Sequence, residues 1–587
     1  MIELFEVDGP HDRRLAQAAS GVLRSFNEAG VFTAGDLHVA GRIGAVLGVP
    51  DDELLLAVAL AVRAVRGGSV CVDLSTVPDL APDLPWPDPD GWRTALAESA
   101  LVSASVLHLE GDLLYLDRYW REEGQVVDDV LARSALPAPT LDPAVLDAGL
   151  ERVFPLPGYD EQRAAVRVAL AHWTAVLTGG PGTGKTTAVA GLLALLAEQS
   201  PTPLRVALAA PTGKAAARLE EAVRDETAKL PAEDRARLGA LAGQTLHRLL
   251  GSRPETRTRF RHHRGNRLPH DVVVVDESSM VSLTMMARLI ESIREDTRLV
   301  FVGDPDQLVS VEAGAVLANL VDGLAELPGA GLARLATNRR SKPPIRALAA
   351  AVQAVDPEAA ISVLTAGHPE VEFLPADDPA SAPALKQILL DHARAALTPA
   401  LRGDAGQALE VSGAHRLLCA HREGPYGVRH WNHQIERWLG EASGYQVGEA
   451  WGREWYAGRP VLITANDRGL GLFNGDTGVA VETDHGLRVP IAGMDKDFAT
   501  SRLADVETMH AMTIHKSQGS QASEVTVLLP SVDSPLLTRE LFYTAVTRAI
   551  DKVRVVGSED AVRAAVVQRA QRATGLRQRL IAAAPSA

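Results

Sequence analysis

The eight residues Gly179–Thr186, GGPGTGKT, constrain the fold more than any other stretch of the chain. So glycine-rich a segment holds neither helix nor strand by itself, yet it joins the apolar run TAVLTGG to the helical-period run KTTAVAGLLALLAEQ. It fits G-x-x-x-x-G-K-[ST], where glycines let backbone N–H groups converge on phosphate oxygens and the following helix N-terminus favours negative charge. On this reading Gly179, Gly180, Pro181, Gly182, Thr183 and Gly184 wrap the phosphates of ATP, with Thr187 next to them. Lys185 reaches the β- and γ-phosphates, and the Thr186 hydroxyl helps hold Mg²⁺.

The surroundings of this loop repeat one pattern. LRVALAAPT, DVVVVDESS and TRLVFVGDPDQ are each a short apolar run closing in polar or glycine residues, with helical stretches between them. This predicts a parallel sheet flanked by helices, with ligands gathered at the carboxyl ends of its strands. Asp276 and Glu277 stand just past four valines, so Asp276 is placed to hold Mg²⁺ and Glu277 to polarise an attacking water. Gln307 closes the next strand beside the γ-phosphate region, and its amide offers donor and acceptor together. Arg339 and Arg340 in LATNRRS, with Arg548 in YTAVTRA, are planar five-donor cations suited to charge on a transferred phosphoryl group.

A second set of strand-like runs, SEVTVLLP and VRVVGS, predicts a second α/β lobe. RPVLITANDRGLGLFNGDTGVAVETDHGLRVPI alternates short β-like runs with Asn, Asp and Gly turns, which predicts a small β-rich insert. The expected division is a helical docking domain over 1–145, a first motor lobe over 146–348 and a second over 349–587, with the insert at about 440–508.

At 587 residues the chain is too long for one core. A net charge of −15 argues against nonspecific coating of nucleic acid, but not against a local basic groove. The stretch 253–270, with Arg253, Arg257, Arg259, Arg261, Arg264 and Arg267 against Glu255 alone, reads either as a solvated loop or as a strand-contacting insertion. Cys71 and Cys419 are the only cysteines, which excludes a disulfide framework. No apolar run is long enough to span a bilayer and the first residues lack a secretory pattern, so a reduced cytoplasm is expected, with no membrane contact.

The ordered series GGPGTGKT, APTGKAA, QTLHRLL, VVDESSM, GDPDQL, NRRS, TIHKSQGSQ and YTAVTRA resembles the motif series of superfamily one DNA helicases. More narrowly it resembles the RecD family, the alpha subunits of RecBCD helicase–nucleases, and GSVCVDL, LLYLDRYW, LLCAHREGPYGVRHWN and NDRGLGLFNGDTG extend the likeness over nearly the whole chain. The resemblance implies two RecA-like P-loop lobes with ATP and Mg²⁺ between them, a helical N-terminal domain and an SH3-like insert. It also implies Gln162 as an adenine-side contact, Arg340 and Arg548 at the γ-phosphate, and Gln518 and Gly519 near the phosphates. Thr212, Lys214, Thr245 and His247 would touch single-stranded DNA from the first lobe, and Asn474, Thr513 and His515 from the second. Activity would be 5′-to-3′ translocation in double-strand break repair, on single-stranded and duplex-end DNA, with RecB-like and RecC-like partners. No second carboxylate cluster with an adjacent lysine reads as a nuclease site, so that activity is expected in the beta partner. Two alternatives stand beside this: a stand-alone helicase of the same branch, and a nucleotide-dependent switch that does not translocate.

Overall fold

The computed structural model describes residues 5–584, apart from 6, 10, 254–255, 310–311, 328, 377–378, 380–381, 445–446, 449–453, 468, 571 and the side chains of 256–258. Two parallel sheets carry the architecture. The first has six strands in the order Leu332–Leu335, Thr174–Gly179, Arg298–Gly303, Val272–Val275, Val206–Ala210 and Gly243–Thr245, every pairing parallel. Val272, Val273, Val274 and Val275 are all buried, as a central strand covered on both faces requires, and β-branched side chains fit that pleat. Helix Lys185–Gln199 covers one face through Leu192, Leu193 and Leu196, and helix Leu283–Glu291 covers the other through Met286, Leu289 and Ile290.

The second sheet runs Val371–Pro375, Ala549–Gly557, Ala522–Leu528, His415–Cys419 and Ala511–Thr513, again parallel throughout. The α/β class with two parallel lobes is therefore as the sequence implied. Before the last of these strands, Pro460–Ile463 pairs antiparallel with Thr477–Val479 and Val506–Thr508. A hairpin, Arg488–Pro490 with Asp497–Ala499, closes over a small core of Val461, Ile463, Val489, Ile491 and Phe498.

The N-terminal helices Gly21–Glu28, Ala34–Leu47 and Asp52–Arg66 are joined by a three-stranded antiparallel sheet of Cys71–Asp73, Leu113–Leu116 and Leu107–Glu110. Strands of three or four residues are too short to stand out from an Ala/Leu-rich background. The Arg-rich stretch is partly built into the fold. Ser252–Arg253 pairs with Thr256–Phe260, Arg264 forks onto both oxygens of Asp129 at 2.8 Å, and Arg267 bonds the Ile293 carbonyl. Glu255 lies outside the described residues.

After its last strand the chain turns back. The Ala573 carbonyl accepts from the Val70 and Cys71 N–H groups at 2.8 and 3.3 Å, beside the N-terminal sheet. The final helix, Leu576–Ala583, then buries Leu576 and Leu580 in a core shared with Val126 and Val130 from the N-terminal part and Leu320 and Leu324 of the first lobe.

Three histidines are held neutral by burial in the second lobe. His510 is lowered to about 3 and His515 to about 4, while His415, stacked on His392 at 4.1 Å between ring centroids, lies well below its usual range. The unfolded chain protonates these groups below about pH 6.5, so it binds more protons than the native state there. Stability is then complete above about pH 6.5 and falls as pH drops toward about 4, by about 1.4 kcal/mol per pH unit for each histidine. Thermal melting at pH 7.5, 6 and 5 is expected to shift downward in that order, and His510→Gln should flatten the trend.

Candidate active site

The phosphate loop turns through Gly182 and Gly184, whose φ of 78° and 86° place both in the left-handed region that glycine tolerates. Both are also crowded. A Cβ on Gly182 would meet the Arg340 Cβ at 2.6 Å, and one on Gly184 would meet Gln162 Nε2 at 2.7 Å. Gln162, 1 % exposed, donates to the Thr183 carbonyl at 2.8 Å, and its Oε1 has no partner among the described residues. A buried acceptor left over beside a nucleotide loop suits an incoming amino group. The Thr183 hydroxyl donates to the Gly180 carbonyl at 2.9 Å, and Lys185 Nζ bonds the carbonyls of Gly179 and Gly180.

Asp276 and Glu277 follow the last valine of the central strand. Burial and the neighbouring Glu277 push the Asp276 carboxyl up to about 6, against the pull of Lys185. Glu277 has φ 50° and ψ 40°, a left-handed conformation that costs a non-glycine residue about 1–3 kcal/mol. The bend aims its carboxylate across the cleft, 3.9 Å from where a Cβ on Gly519 would sit. On the adjacent strand Asp304 is 3 % exposed, and burial raises its pKa. It accepts from Gln307 Nε2 at 2.9 Å and from the Tyr543 hydroxyl at 3.2 Å.

Several bonds tie the second lobe to this floor. Leu308 N–H donates to Thr544 Oγ1 at 2.8 Å, Gln518 Nε2 to the Leu308 carbonyl at 2.6 Å, and Arg340 Nη1 to Gln521 Oε1 at 2.6 Å. The Tyr543 hydroxyl lies 2.8 Å from a Cβ built on Gly180. Arg548, 4 % exposed, is held by the carbonyls of Thr544 at 3.1 Å and Ser520 at 3.4 Å. Burial lowers its pKa, while Glu277, Asp304 and Tyr543 oppose that shift. A cation of one lobe therefore faces the carboxylates of the other.

The residues expected to touch a strand are placed less uniformly. Thr212 follows one strand and Thr245 ends its neighbour, but their hydroxyls cap the helices that follow, accepting from Ala215 and Arg248 N–H at 3.2 Å. Thr513 accepts from Lys516 N–H at 3.2 Å. Lys214 donates to the Gly475 carbonyl at 2.8 Å, and Asn474 N–H to Asn466 Oδ1 at 2.8 Å, so the first lobe and the insert meet there. His247 lies edge-on to Phe260 at 5.9 Å, and His515 sits beside Arg572.

Family models match three stretches: an AAA domain over 162–313, a UvrD-like helicase C-terminal domain over 508–556, and the N-terminal domain of RecBCD enzyme subunit RecD over 28–115. RecBCD enzyme subunit RecD of Mycolicibacterium smegmatis is 59% identical over 568 residues, covering 95% of this chain and 99% of that one. The chain belongs to the RecD family. The RecD subunit of Mycobacterium tuberculosis (strain H37Rv) is 56% identical over 97% of this chain and 98% of its own length. The ATP-dependent RecD2 DNA helicase of Deinococcus radiodurans is 32% identical over 83% of this chain but 61% of itself. Among solved structures, a Bacteroides Pif1 helicase with ADP-AlF3 and ssDNA aligns over 68% of this chain and 91% of that one at 15% identity, TM-score 0.37.

In this RecD chain the two candidate arginines of NRRS point apart. Arg339 lies over the Tyr159 ring at 5.5 Å and bonds the Gly158 carbonyl, whereas Arg340 crosses the cleft to Gln521. Asp304 and Tyr543 are additions that the sequence reading missed. Asp304 carried the same signal as Asp276, an acid closing a buried strand. Tyr543, five residues before Arg548, had no signal of its own. Among the described residues no three His, Cys, Asp or Glu side chains gather as a metal cage. One carboxylate, Asp276, with the Thr186 hydroxyl nonetheless suits Mg²⁺, which takes its remaining oxygens from substrate phosphates and water.

Proposed function

We propose that this chain is the ATP-driven helicase subunit of a RecBCD-type complex, moving 5′ to 3′ on a single strand drawn from a duplex end. The observation that carries the motor reading is Arg548, buried in the second lobe and facing Glu277 and Asp304 of the first. The P-loop N–H groups and Lys185 hold the phosphates. Thr186 and Asp276 would hold Mg²⁺, which supplies charge neutralisation between the β- and γ-phosphates. Glu277 orients the attacking water, Gln162 accepts from the adenine, and Arg340 and Arg548 balance charge on the phosphoryl group. Gln307 bonds Asp304, which accepts from Tyr543 of the second lobe, and Gln518 bonds the Leu308 carbonyl across the cleft, so a change at the γ-phosphate alters lobe contact.

The loop from Thr513 to Gln521 carries that change toward DNA. Its first part holds Thr513 and His515, and its last part holds Gln518, Gly519 and Gln521 against the ATP cleft. Thr212, Lys214, Thr245, His247 and Asn474 complete the strand contacts in this reading, through phosphate and sugar rather than base edges. The domains run 1–145, 146–348 and 349–587, the site of action is cytoplasmic, and RecB-like and RecC-like subunits are the partners. The near-complete overlap with chains named RecBCD enzyme subunit RecD supports the docked subunit over a stand-alone helicase. Exonuclease activity belongs to the beta partner.

The test is ATP turnover with and without single-stranded DNA, and unwinding of 5′- and 3′-tailed duplexes, for the chain alone and for the reconstituted complex. Stimulation by single strands and opening of only the 5′-tailed duplex are expected. Turnover indifferent to DNA would leave a nucleotide switch instead.

A further inference from the structure

A second basic chamber lies between the lobes, sharing a wall with the ATP cleft. It encloses about 260 Å³ and is lined by Lys214 and Arg218 of the first lobe, Arg416 of the second, Gly478 of the insert, and Ser520 and Gln521 of the connecting loop. No carboxylate lines it. Its cations are bonded to neutral oxygens or to nothing. Lys214 donates to the Gly475 carbonyl, and Arg416 to the carbonyls of Ser412 at 2.6 Å and His415 at 2.8 Å. Arg218 has no hydrogen bond or ion pair among the described residues. Asp476 is the carboxylate that Lys214 feels, and it already accepts from Phe473 N–H at 2.8 Å. The three charges disfavour one another: burial, Arg416 and Arg218 together lower Lys214 to about 8.

Three converging cations in a lining that holds no carboxylate describe a receptor for an oxyanion. The position says which one. Ser520 accepts from Arg548 and Gln521 from Arg340, so two chamber walls are held by the arginines of the ATP site. Arg218 also bears electrostatically on Asp276, Arg340 and Arg548. On the insert side Lys214 is engaged by the Gly475 carbonyl, and the Phe473 ring lies 2.9 Å from a Cβ built on Gly213. A strand that engages Lys214 from that side would have to displace the Gly475 bond to reach further in. A small free anion arriving from the cleft would not.

We propose that this chamber receives the orthophosphate released by ATP hydrolysis and holds it between Lys214, Arg218 and Arg416 before it leaves. The proposal rests on the ATPase reading above and adds a product site to it. No bond is made or broken in the chamber. Because its walls come from both lobes and the insert, a held phosphate keeps them together, and its departure frees them to separate.

The test uses the full chain and its complex, with orthophosphate as the probe. Calorimetric titration of phosphate should detect binding that survives Lys185→Ala, which disables the γ-phosphate cradle, and that weakens at least fivefold in Arg218→Gln. In single turnovers followed by acid quench and by a fluorescent phosphate sensor, release should lag cleavage, and Arg218→Gln should shorten the lag at least threefold. Single-strand affinity should stay within about twofold. Arg416→Gln provides the same readings from the opposite wall.

Phosphate binding lost in Lys185→Ala but kept in Arg218→Gln would overturn the chamber and leave the ATPase reading intact. Weakened strand affinity with a salt slope reduced by about one, and an unchanged lag, would make the occupant a DNA phosphodiester and overturn the proposal equally. Absence of turnover in the unaltered complex would be a failure of the ATPase reading, which the titration does not depend on.

Discussion

Replacing Arg548 with alanine is expected to lower single-strand-stimulated ATP turnover by about 10³-fold or more, the range for an arginine that meets transition-state charge. Its geometry supports so large an effect. The guanidinium is buried, so its charge acts in low dielectric, and backbone carbonyls of Thr544 and Ser520 fix its direction before substrate arrives. The carboxylates of Glu277 and Asp304 keep it charged despite burial. Arg548→Lys should recover little, because an ammonium lacks the planar fork that meets two phosphoryl oxygens. Steady-state kinetics should show the loss chiefly in kcat rather than KM, as for a contact made in the transition state. A loss of less than tenfold would shift the role to Arg340.

The second large effect is expected far from ATP. Leu576→Ala with Leu580→Ala should cost about 2–5 kcal/mol per site, because both side chains are essentially inaccessible (1 % and 0 % exposed) in a core they share with helices Asp117–Ser134 and Val316–Ala325. The terminal helix should release before the lobes melt. Limited trypsin digestion should then cut at Arg569, an exposed side chain, at concentrations that leave the unaltered chain whole. Turnover per folded molecule should change little, since the terminal helix packs beside the cleft's supporting helices and not on the phosphate loop. An unchanged melting point and digestion pattern would show that the helix is not integral to this core.

The parts of the molecule that were legible in the sequence are those where one local pattern has one physical solution. Four consecutive valines ending in an acid can only be a buried parallel strand delivering a carboxylate to its end. A lysine behind six glycine-rich loop positions can hardly be anything but a phosphate anchor. Threonines were harder, because a hydroxyl before a helix is satisfied by capping whether or not it also meets a ligand. Thr212, Thr245 and Thr513 all make such local bonds. Arg339 and Arg340 are equivalent as letters, and only the fold turns one toward Tyr159 and the other toward Gln521. The resting place of Leu576–Ala583 is set by contacts some 450 residues away along the chain, such as Thr574 with Glu123, and no window of sequence contains that information.

The return of the last segment to the N-terminal sheet also has a consequence for biosynthesis. A ribosome makes a chain from its N-terminal side, and early segments fold as they emerge. The groove between Val126, Val130 and Leu320 must nevertheless wait for Leu576 and Leu580, which are made some 450 residues after Val126 and Val130. Until that segment is made, the apolar surface stays open to whatever else in the cell binds exposed leucine and valine, so nascent copies have a longer window for chaperone capture than the order of their domains suggests.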